Sequence, residues 1–146
     1  MKDLKEWHKR KIIKRALSVA LPDGIYIVYR FNQSHKNEKD GIDMYHLFQS
    51  ESPETIQEWI KRCEKLLSSN WDVGDALVSM AHAHSRANKK RGIIQTIFLS
   101  GIYMIEYKQA KKKYEQIKKE FIKNNPGFSE ETYESAIQNG ASYACH

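Results

Sequence analysis

The stretch from residue 92 to residue 124 sets the strongest limit on the fold. It contains no proline, and its second half is rich in helix-favouring lysine, glutamate and glutamine. One straight helix of this length would measure about 50 Å at 1.5 Å per residue. A compact domain of this chain length has a diameter of only about 40 Å. We therefore expect the helix to kink, with Gly101 as the favoured point, or to project from the domain.

The first half of this stretch allows a second interpretation. Apolar runs at 93–99 and 102–107 flank Ser100-Gly101, a dipeptide that suits the two-residue turn of a β-hairpin. We favour the helix, because the two runs lack clean apolar–polar alternation and the residues that follow are strongly helical. Helix and hairpin both remain open for 93–107.

Four further helices are predicted from apolar residues that recur with the helical period. The clearest is 53–68, where Ser52 supplies an N-cap, Pro53 a proline in the first turn, and Glu54 an acid near the positive end of the helix dipole. The other three are expected at 3–20, 72–87 and 129–139.

A β-hairpin is expected between the helices predicted at 3–20 and 53–68. Pro22-Asp23-Gly24 predicts a turn, and the β-branched and aromatic run at 25–31 favours a strand. A polar loop at 32–41 then leads to a second strand at 42–49. A hairpin alone is marginal in water, so we expect helices to cover it.

The predicted fold class is therefore mainly α with a small β-hairpin (α+β). It has about five helices, the longest near 92–124, packed on a two-stranded antiparallel hairpin. Residues 1–146 are expected to form a single domain, with residues 141–146 as a mobile tail.

Composition places the chain among globular proteins. Its hydrophobic content of 40% and aromatic content of 11% are too high for a disordered chain. Two cysteines, Cys63 and Cys145, are too few for a disulfide framework, which favours a reducing, cytoplasmic setting. We expect neither a signal peptide nor a transmembrane segment. The N-terminus is charged from its second residue, and the apolar stretch 93–107 is shorter than the roughly 20 residues that span a bilayer.

Basic residues are clustered along the chain, which has a formal net charge of +6. Clustered positive charge is typical of proteins with an anionic partner, such as nucleic acid, an anionic membrane or an acidic protein surface, and it does not choose among them. The residues predicted to bind nucleic acid are Lys9, Arg10, Lys14, Arg15, Arg86, Lys89, Lys90 and Arg91.

Trp7 lies within the first basic cluster. Its position beside Leu4 on the apolar stripe of the first helix predicts a core residue. If the ring were exposed instead, it would be able to stack on a nucleic-acid base.

A polar stripe on the helix at 72–87 is the best candidate for catalysis. Asp75, Ser79, His82 and Arg86 are spaced so that they share one helical face. Such a stripe can bind a phosphate, with His82 as acid or base and Arg86 as a bidentate contact. A solvated outer face is the favoured interpretation, so Ser79, His82 and Arg86 are candidates only.

No metal site and no cofactor are predicted. His82 and His84 are two residues apart, so on a helix they point away from each other and cannot share an ion. Glycine-rich phosphate loops and the known catalytic signatures are absent from the sequence.

A seam of apolar residues with coiled-coil spacing follows Gly101. Its members are Tyr107, Ala110, Tyr114, Ile117 and Phe121. The 107–121 seam would pack on the chain's own hairpin or on a second copy, which makes a homodimer one prediction. Tyrosine is favoured at interface hot spots, so Tyr103, Tyr107 and Tyr114 are the predicted partner-binding residues.

Three functions are considered. The leading one is a non-enzymatic accessory or regulatory protein that binds nucleic acid through basic helical surfaces. The second is a protein-binding adaptor or inhibitor of mobile-element or phage type, acting on a larger enzyme. The third is a small phosphate-processing enzyme that uses His82.

Overall fold

The computed structural model describes residues 2–35, 39–89 and 92–145, and within these residues the chain forms helices and no strand. The helices are α1 (Lys2–Leu17), α2 (Leu21–Ser34), α3 (Met44–Leu47), α4 (Pro53–Ser68), α5 (Trp71–Asn88), α6 (Ile93–Asn124) and α7 (Glu130–Ala144). The helix predicted at 53–68 is confirmed at both ends, and those predicted near α1, α5, α6 and α7 are confirmed with shifted ends. The hairpin alternative for 93–107 is wrong, because α6 continues through Gly101.

The predicted α+β fold class is wrong, because residues 25–31 lie inside α2. Pro22 occupies the first turn of that helix, where its missing N–H leaves no helical hydrogen bond unmade. Ile25 and Val28 are fully buried and Phe31 nearly so, at the three-residue spacing of one helical face. A short apolar run of this kind fits a buried helix as well as a strand, and tertiary packing overrode the β-propensity.

The second predicted strand, at 42–49, is also wrong. The carboxylate of Asp43 accepts hydrogen bonds from the backbone N–H groups of Tyr45 and His46 and thereby caps the short helix α3. The polar loop predicted at 32–41 includes residues 36–38, which lie outside the described residues.

The chain divides into two compact units. Unit 1 takes in the residues up to Leu66 together with Gly127–Thr132, and unit 2 takes in Leu67–Pro126 and the residues from Tyr133 onward. The prediction of a single domain stays a prediction. So does the mobile tail at 141–146, of which residue 146 lies outside the described part. Helix α7 runs to Ala144, and Ala141 is buried.

Unit 1 is built around residues of α1, α2 and α4. Its buried apolar side chains include Ala16, Ile25, Val28, Ile56, Cys63 and Leu66. The buried carboxylate of Asp23 accepts hydrogen bonds from the backbone N–H of Ser129 at 2.9 Å and from the hydroxyl of Thr132 at 2.7 Å. Asp23 therefore satisfies polar groups at the start of α7 from a distant part of the sequence.

Unit 2 combines the packed pair α5 and α6 with the later residues of α7. A Cβ atom added at Gly74 would lie 2.3 Å from the carbonyl carbon of Gly140, so only glycine permits this close approach of α5 and α7. Beside it, the buried Asn70 amide donates a 2.8 Å hydrogen bond to the Ala136 carbonyl. Small residues and one buried amide thus hold the start of α5 against α7.

Candidate nucleic-acid interface

Helix α1 has apolar residues on two opposite sides. Ala16 is buried, and Ile12 and Ile13 are half-buried, on the side that packs against α2. Trp7 and Ala16 are separated by about two and a half helical turns, so they point in opposite directions. Trp7 is 58% exposed. The prediction that Trp7 belongs to the core is therefore wrong, since the apolar residues of α1 do not form one stripe.

The outward side of α1 carries a line of four residues at alternating spacings of three and four. We call Leu4, Trp7, Lys11 and Lys14 the outer line; all four are exposed. The Lys11 ammonium nitrogen lies 5.3 Å from the centroid of the Trp7 ring, within the range of a cation–π contact. Arg10, also exposed, lies beside the line and one turn from Lys14. The outer line and Arg10 thus place an aromatic ring and three cations on the same side of α1.

Contacts on the other side of α1 hold the helix in this orientation. The imidazole of His8 lies 5.8 Å from the Phe31 ring of α2, measured between centroids. Phe31 in turn stacks on His35 at 4.1 Å. The ammonium of Lys5 lies 3.7 Å from a carboxylate oxygen of Asp40. None of these contacts uses a residue of the outer line, whose four side chains stay exposed.

The predicted nucleic-acid contacts on α1 have different surroundings. Arg10 and Lys14 are exposed, whereas Lys9 is half-buried on the inward side. Arg15 forms an ion pair with Glu131 at the start of α7. Because a paired guanidinium must give up its carboxylate before it can bind a phosphate, Arg10 and Lys14 are the stronger candidates.

The second predicted cluster is only partly described. Arg86 lies 3.5 Å from a carboxylate oxygen of Glu106 on α6. Lys89, which follows α5, is exposed. Lys90 and Arg91 lie outside the described residues. Within the described part, this cluster offers one exposed lysine and one arginine that is already ion-paired.

Lys11 was not among the predicted contacts; the structure places it, exposed, beside the Trp7 ring. Lys11 follows Trp7 by four residues, and on a helix this spacing makes the two side chains neighbours. The spacing points to Lys11 as part of an exposed surface only once Trp7 is known to face solvent.

The candidate catalytic residues are not gathered into one pocket. Ser79 lines an open groove of about 490 Å³ between α5 and α6. The other lining residues are Asp72, Asp75, Ala76, Ala110, Lys113, Gln116, Ile117 and Glu120. The exposed His82 is not among them, and Arg86 is engaged by Glu106. An acid–base mechanism through Ser79, His82 and Arg86 therefore gains no geometric support.

The predicted seam packs within the chain. Phe121 is buried, and Tyr107 and Tyr114 are half-buried, as is the predicted partner-binding residue Tyr103. The imidazole of His84 on α5 lies 5.0 Å from the Tyr107 ring. Because α5 covers this side of α6, the tyrosines present only part of their surface to a partner.

The other side of α6 is apolar near its start. Ile102 and Ile105 are 56% and 58% exposed, and Met104 is 41% exposed. Within one turn of Ile105 come the exposed side chains of Lys108 and, one turn further, Lys112. These three apolar residues form a surface that the sequence analysis did not separate from the tyrosine seam.

Among residues 2–35, 39–89 and 92–145, no group of three histidine, cysteine, aspartate or glutamate side chains is placed to hold a metal ion. None of the described helices combines the length and apolar composition that a bilayer crossing requires. No family model, curated protein or solved structure matches the chain.

Proposed function

We propose that this chain is a non-enzymatic accessory or regulatory protein that binds nucleic acid, mainly through phosphate contacts. The observation that carries the proposal is the exposure of Arg10, Lys11 and Lys14 together on the outward side of α1. Lys14 follows Arg10 by four residues and Lys11 by three, which places its Cβ atom about 5–6 Å from each of theirs. Within the described part of the chain, no carboxylate pairs with any of the three.

The physical basis of such binding is counterion release. Lysine and arginine that replace the cations condensed on a nucleic-acid backbone make affinity fall steeply as salt rises. Cations held by carboxylates contribute less, which is why the proposal rests on α1 rather than on Arg15 or Arg86. The net charge of +6 adds a favourable long-range field.

The test is a salt titration of binding, measured by fluorescence anisotropy with labelled nucleic acid between about 50 and 200 mM salt. The double variant Arg10→Glu/Lys14→Glu should bind at least about tenfold more weakly at low salt. It should also lower the slope of log affinity against log salt by about two, one for each lost phosphate contact.

The control must change the net charge equally. Lys61 on α4 and Lys123 on α6 are both exposed, so Lys61→Glu/Lys123→Glu matches the charge change at other places. This control should retain most of the affinity. If both double variants weaken binding equally, net charge alone explains the effect and α1 is not the interface. If the wild type does not bind at low salt, the proposed function is overturned.

A protein-binding adaptor or inhibitor is the second candidate, favoured by the exposed apolar residues of α6. Ile102, Met104 and Ile105 are followed by Lys108 and Lys112, and no acid occurs from residue 107 to residue 114. A complementary partner surface would be an apolar helix face bordered by acidic side chains. The candidate occupant is therefore an acidic, amphipathic segment of another protein.

This candidate is tested with Ile102→Ser/Ile105→Ser, using Tyr143→Ser as the control because Tyr143 is 60% exposed on α7. A partner captured by the wild type and by the control, but not by the double variant, is then purified and its affinity measured directly. Equal affinity for wild type and double variant would exclude this surface. A wild-type dimer that the double variant converts to a monomer would make the occupant a second copy instead.

The proposal includes a cytoplasmic location. Both cysteines are free thiols, Cys63 buried and Cys145 exposed, which supports a reducing compartment.

A further inference from the structure

We propose that Trp7 is a stacking platform for an unpaired base, so that the nucleic acid bound by α1 is single-stranded. This inference rests on the proposed function and names its ligand class. It is carried by the geometry of the outer line rather than by its charge.

The fold leaves much of the Trp7 side chain uncovered. Trp7 is 58% exposed although it is among the largest apolar side chains in the chain. Its neighbour in the outer line, Leu4, is 68% exposed. The inward side of α1 is supplied by other residues, so the indole surface of Trp7 adds little to the packing of unit 1. One face of the ring meets Lys11, and the rest of its exposed surface is available to a ligand.

A positive charge lies close to the Trp7 ring. The Lys11 ammonium lies 5.3 Å from the centroid of the Trp7 ring, and Lys14 follows one turn later. A base stacked on the indole would therefore have its own backbone phosphate within reach of Lys11 or Arg10. One nucleotide would meet an aromatic surface and a positive charge together, the combination that single-strand binding proteins use.

Single strands and duplexes differ in what they gain from stacking on the Trp7 ring. In a duplex both faces of each base are already stacked on neighbours, so an indole on a helix surface gains nothing without opening the stack. An unpaired base offers its face at no such cost. Trp7 should therefore favour single strands, whereas the cations of α1 act on both.

An anionic lipid surface is the alternative ligand to which an exposed tryptophan and neighbouring lysines would be suited. Helices that lie on a bilayer need a broad apolar side. The outward side of α1 has Leu4 and Trp7 in its first half and the cations Arg10, Lys11 and Lys14 after them, with Asp3 and Glu6 nearby. These cations separate the exposed Leu17 at the end of the helix from Trp7, so the apolar residues form no continuous side. The apolar area is too small, and the observations favour the base.

The experiment measures affinity for a single-stranded oligonucleotide of about 12 nucleotides and for a duplex of equal length, at several salt concentrations. The wild type should bind the single strand more tightly. Trp7→Leu keeps an apolar side chain but removes the aromatic surface. It should weaken single-strand binding by about fivefold or more, and leave duplex binding and the salt slope unchanged.

Trp71 provides a matched control, because it is 53% exposed on α5 and belongs to unit 2 rather than to unit 1. Trp71→Leu should bind like the wild type. Circular dichroism and the thermal midpoint establish that both variants fold.

Failure of this inference differs from failure of the proposed function. Salt-sensitive binding with equal affinity for single strand and duplex, unaffected by Trp7→Leu, would leave phosphate binding intact and overturn the stacking platform. Absence of all binding would overturn both. Wild-type binding to vesicles of phosphatidylserine and phosphatidylcholine that Trp7→Leu abolishes, without single-strand preference, would replace the base with a lipid surface.

Discussion

Two tryptophans of unit 1, Trp59 and Trp7, have different surroundings although each is accompanied by a cation of its own helix. Trp59 on α4 has the guanidinium of Arg62 at 4.5 Å, and Trp7 on α1 has the ammonium of Lys11 at 5.3 Å. The Trp59 ring is further covered by Phe128, edge-on with centroids 5.5 Å apart. Trp7 remains 58% exposed.

The difference indicates which of the two tryptophan rings contributes to the stability of the fold. Cover by Phe128 makes Trp59 part of the packing of unit 1, so its removal should unfold the protein more easily. The exposure of Trp7 means that its removal should change binding rather than stability. The following predictions test this separation through the residues around each ring.

The largest effect is expected from truncation of Trp59. Trp59→Ala removes the ring from its contacts with Phe128 and Gly127, and should lower the free energy of unfolding by about 3 kcal/mol. Trp7→Ala should change it by no more than about 0.5 kcal/mol. Urea denaturation of both variants provides the measurement. Similar losses for the two would mean that Trp7 belongs to the packing after all.

A smaller loss is expected at Gly127, which adopts φ = 102° beside Trp59. A Cβ atom there would lie 2.7 Å from the Trp59 ring. Gly127→Ala should therefore cost about 2 kcal/mol, from strain at positive φ and from displacement of the ring. Gly101→Ala is the control; nothing lies near Gly101, so alanine should stabilise α6 by about 0.5–1 kcal/mol. An unchanged thermal midpoint for Gly127→Ala would contradict the cover of Trp59.

The interior next to Trp59 can also be tested by pH through Cys63, one turn further along α4. Burial raises the pKa of the Cys63 thiol from 9.0 to about 12, with smaller contributions from Asp23 and Glu64. Below pH 9 the thiol is protonated in the folded and the unfolded chain, and its contribution is complete. Between pH 9 and pH 12 only the unfolded chain releases the proton, so stability falls as pH rises.

We therefore expect the wild type to lose about 1–2 kcal/mol more than Cys63→Ala between pH 8 and about pH 10.5. Urea titrations of both proteins at the two pH values give the difference, in which the ionisations of the lysines and of the tyrosines other than Tyr29 cancel. Burial raises the pKa of Tyr29, with smaller contributions from Glu64 and Cys63, so Tyr29 belongs to the measured difference. Equal losses in wild type and variant would indicate that water reaches Cys63.

The smallest effect is expected from the cations beside the two rings. Arg62→Met removes the contact with Trp59 and the ion pair with Glu58, and should cost about 0.5–1 kcal/mol. Lys11→Met should leave the unfolding free energy unchanged but weaken nucleic-acid binding and its salt dependence. A stability loss at Lys11 equal to that at Arg62 would remove the distinction between the two sites.

The helices could be predicted where local signals agree with packing. At α4 the N-cap, the proline and the apolar period all indicate the same ends, and the structure has those ends. At α2 the signals conflict. Pro22 and Asp23 fit both a turn and a helix start. Nearly every residue of the run at 25–31 is apolar, so the helical period does not show in the sequence.

The candidate site was predictable in composition but not in arrangement. Basic residues at Arg10 and Lys14 are evident in the sequence, and both are exposed. The ion pair between Arg15 and Glu131 was not predictable, because the two residues are 116 positions apart in the sequence. The exposure of Trp7 was missed because one helix carries two apolar faces, and only the packing of α1 on α2 shows which of them is buried.

The hydrogen bonds of Asp23 determine when unit 1 can be completed during synthesis of the protein. A ribosome adds residues at about 5–20 per second, so several seconds separate the synthesis of Asp23 from that of Ser129 and Thr132, its two donors. During that interval α2 exists without the segment that completes unit 1. A nascent chain shorter than 129 residues therefore lacks both donors to the Asp23 carboxylate, and unit 1 can be completed only after translation has passed Thr132.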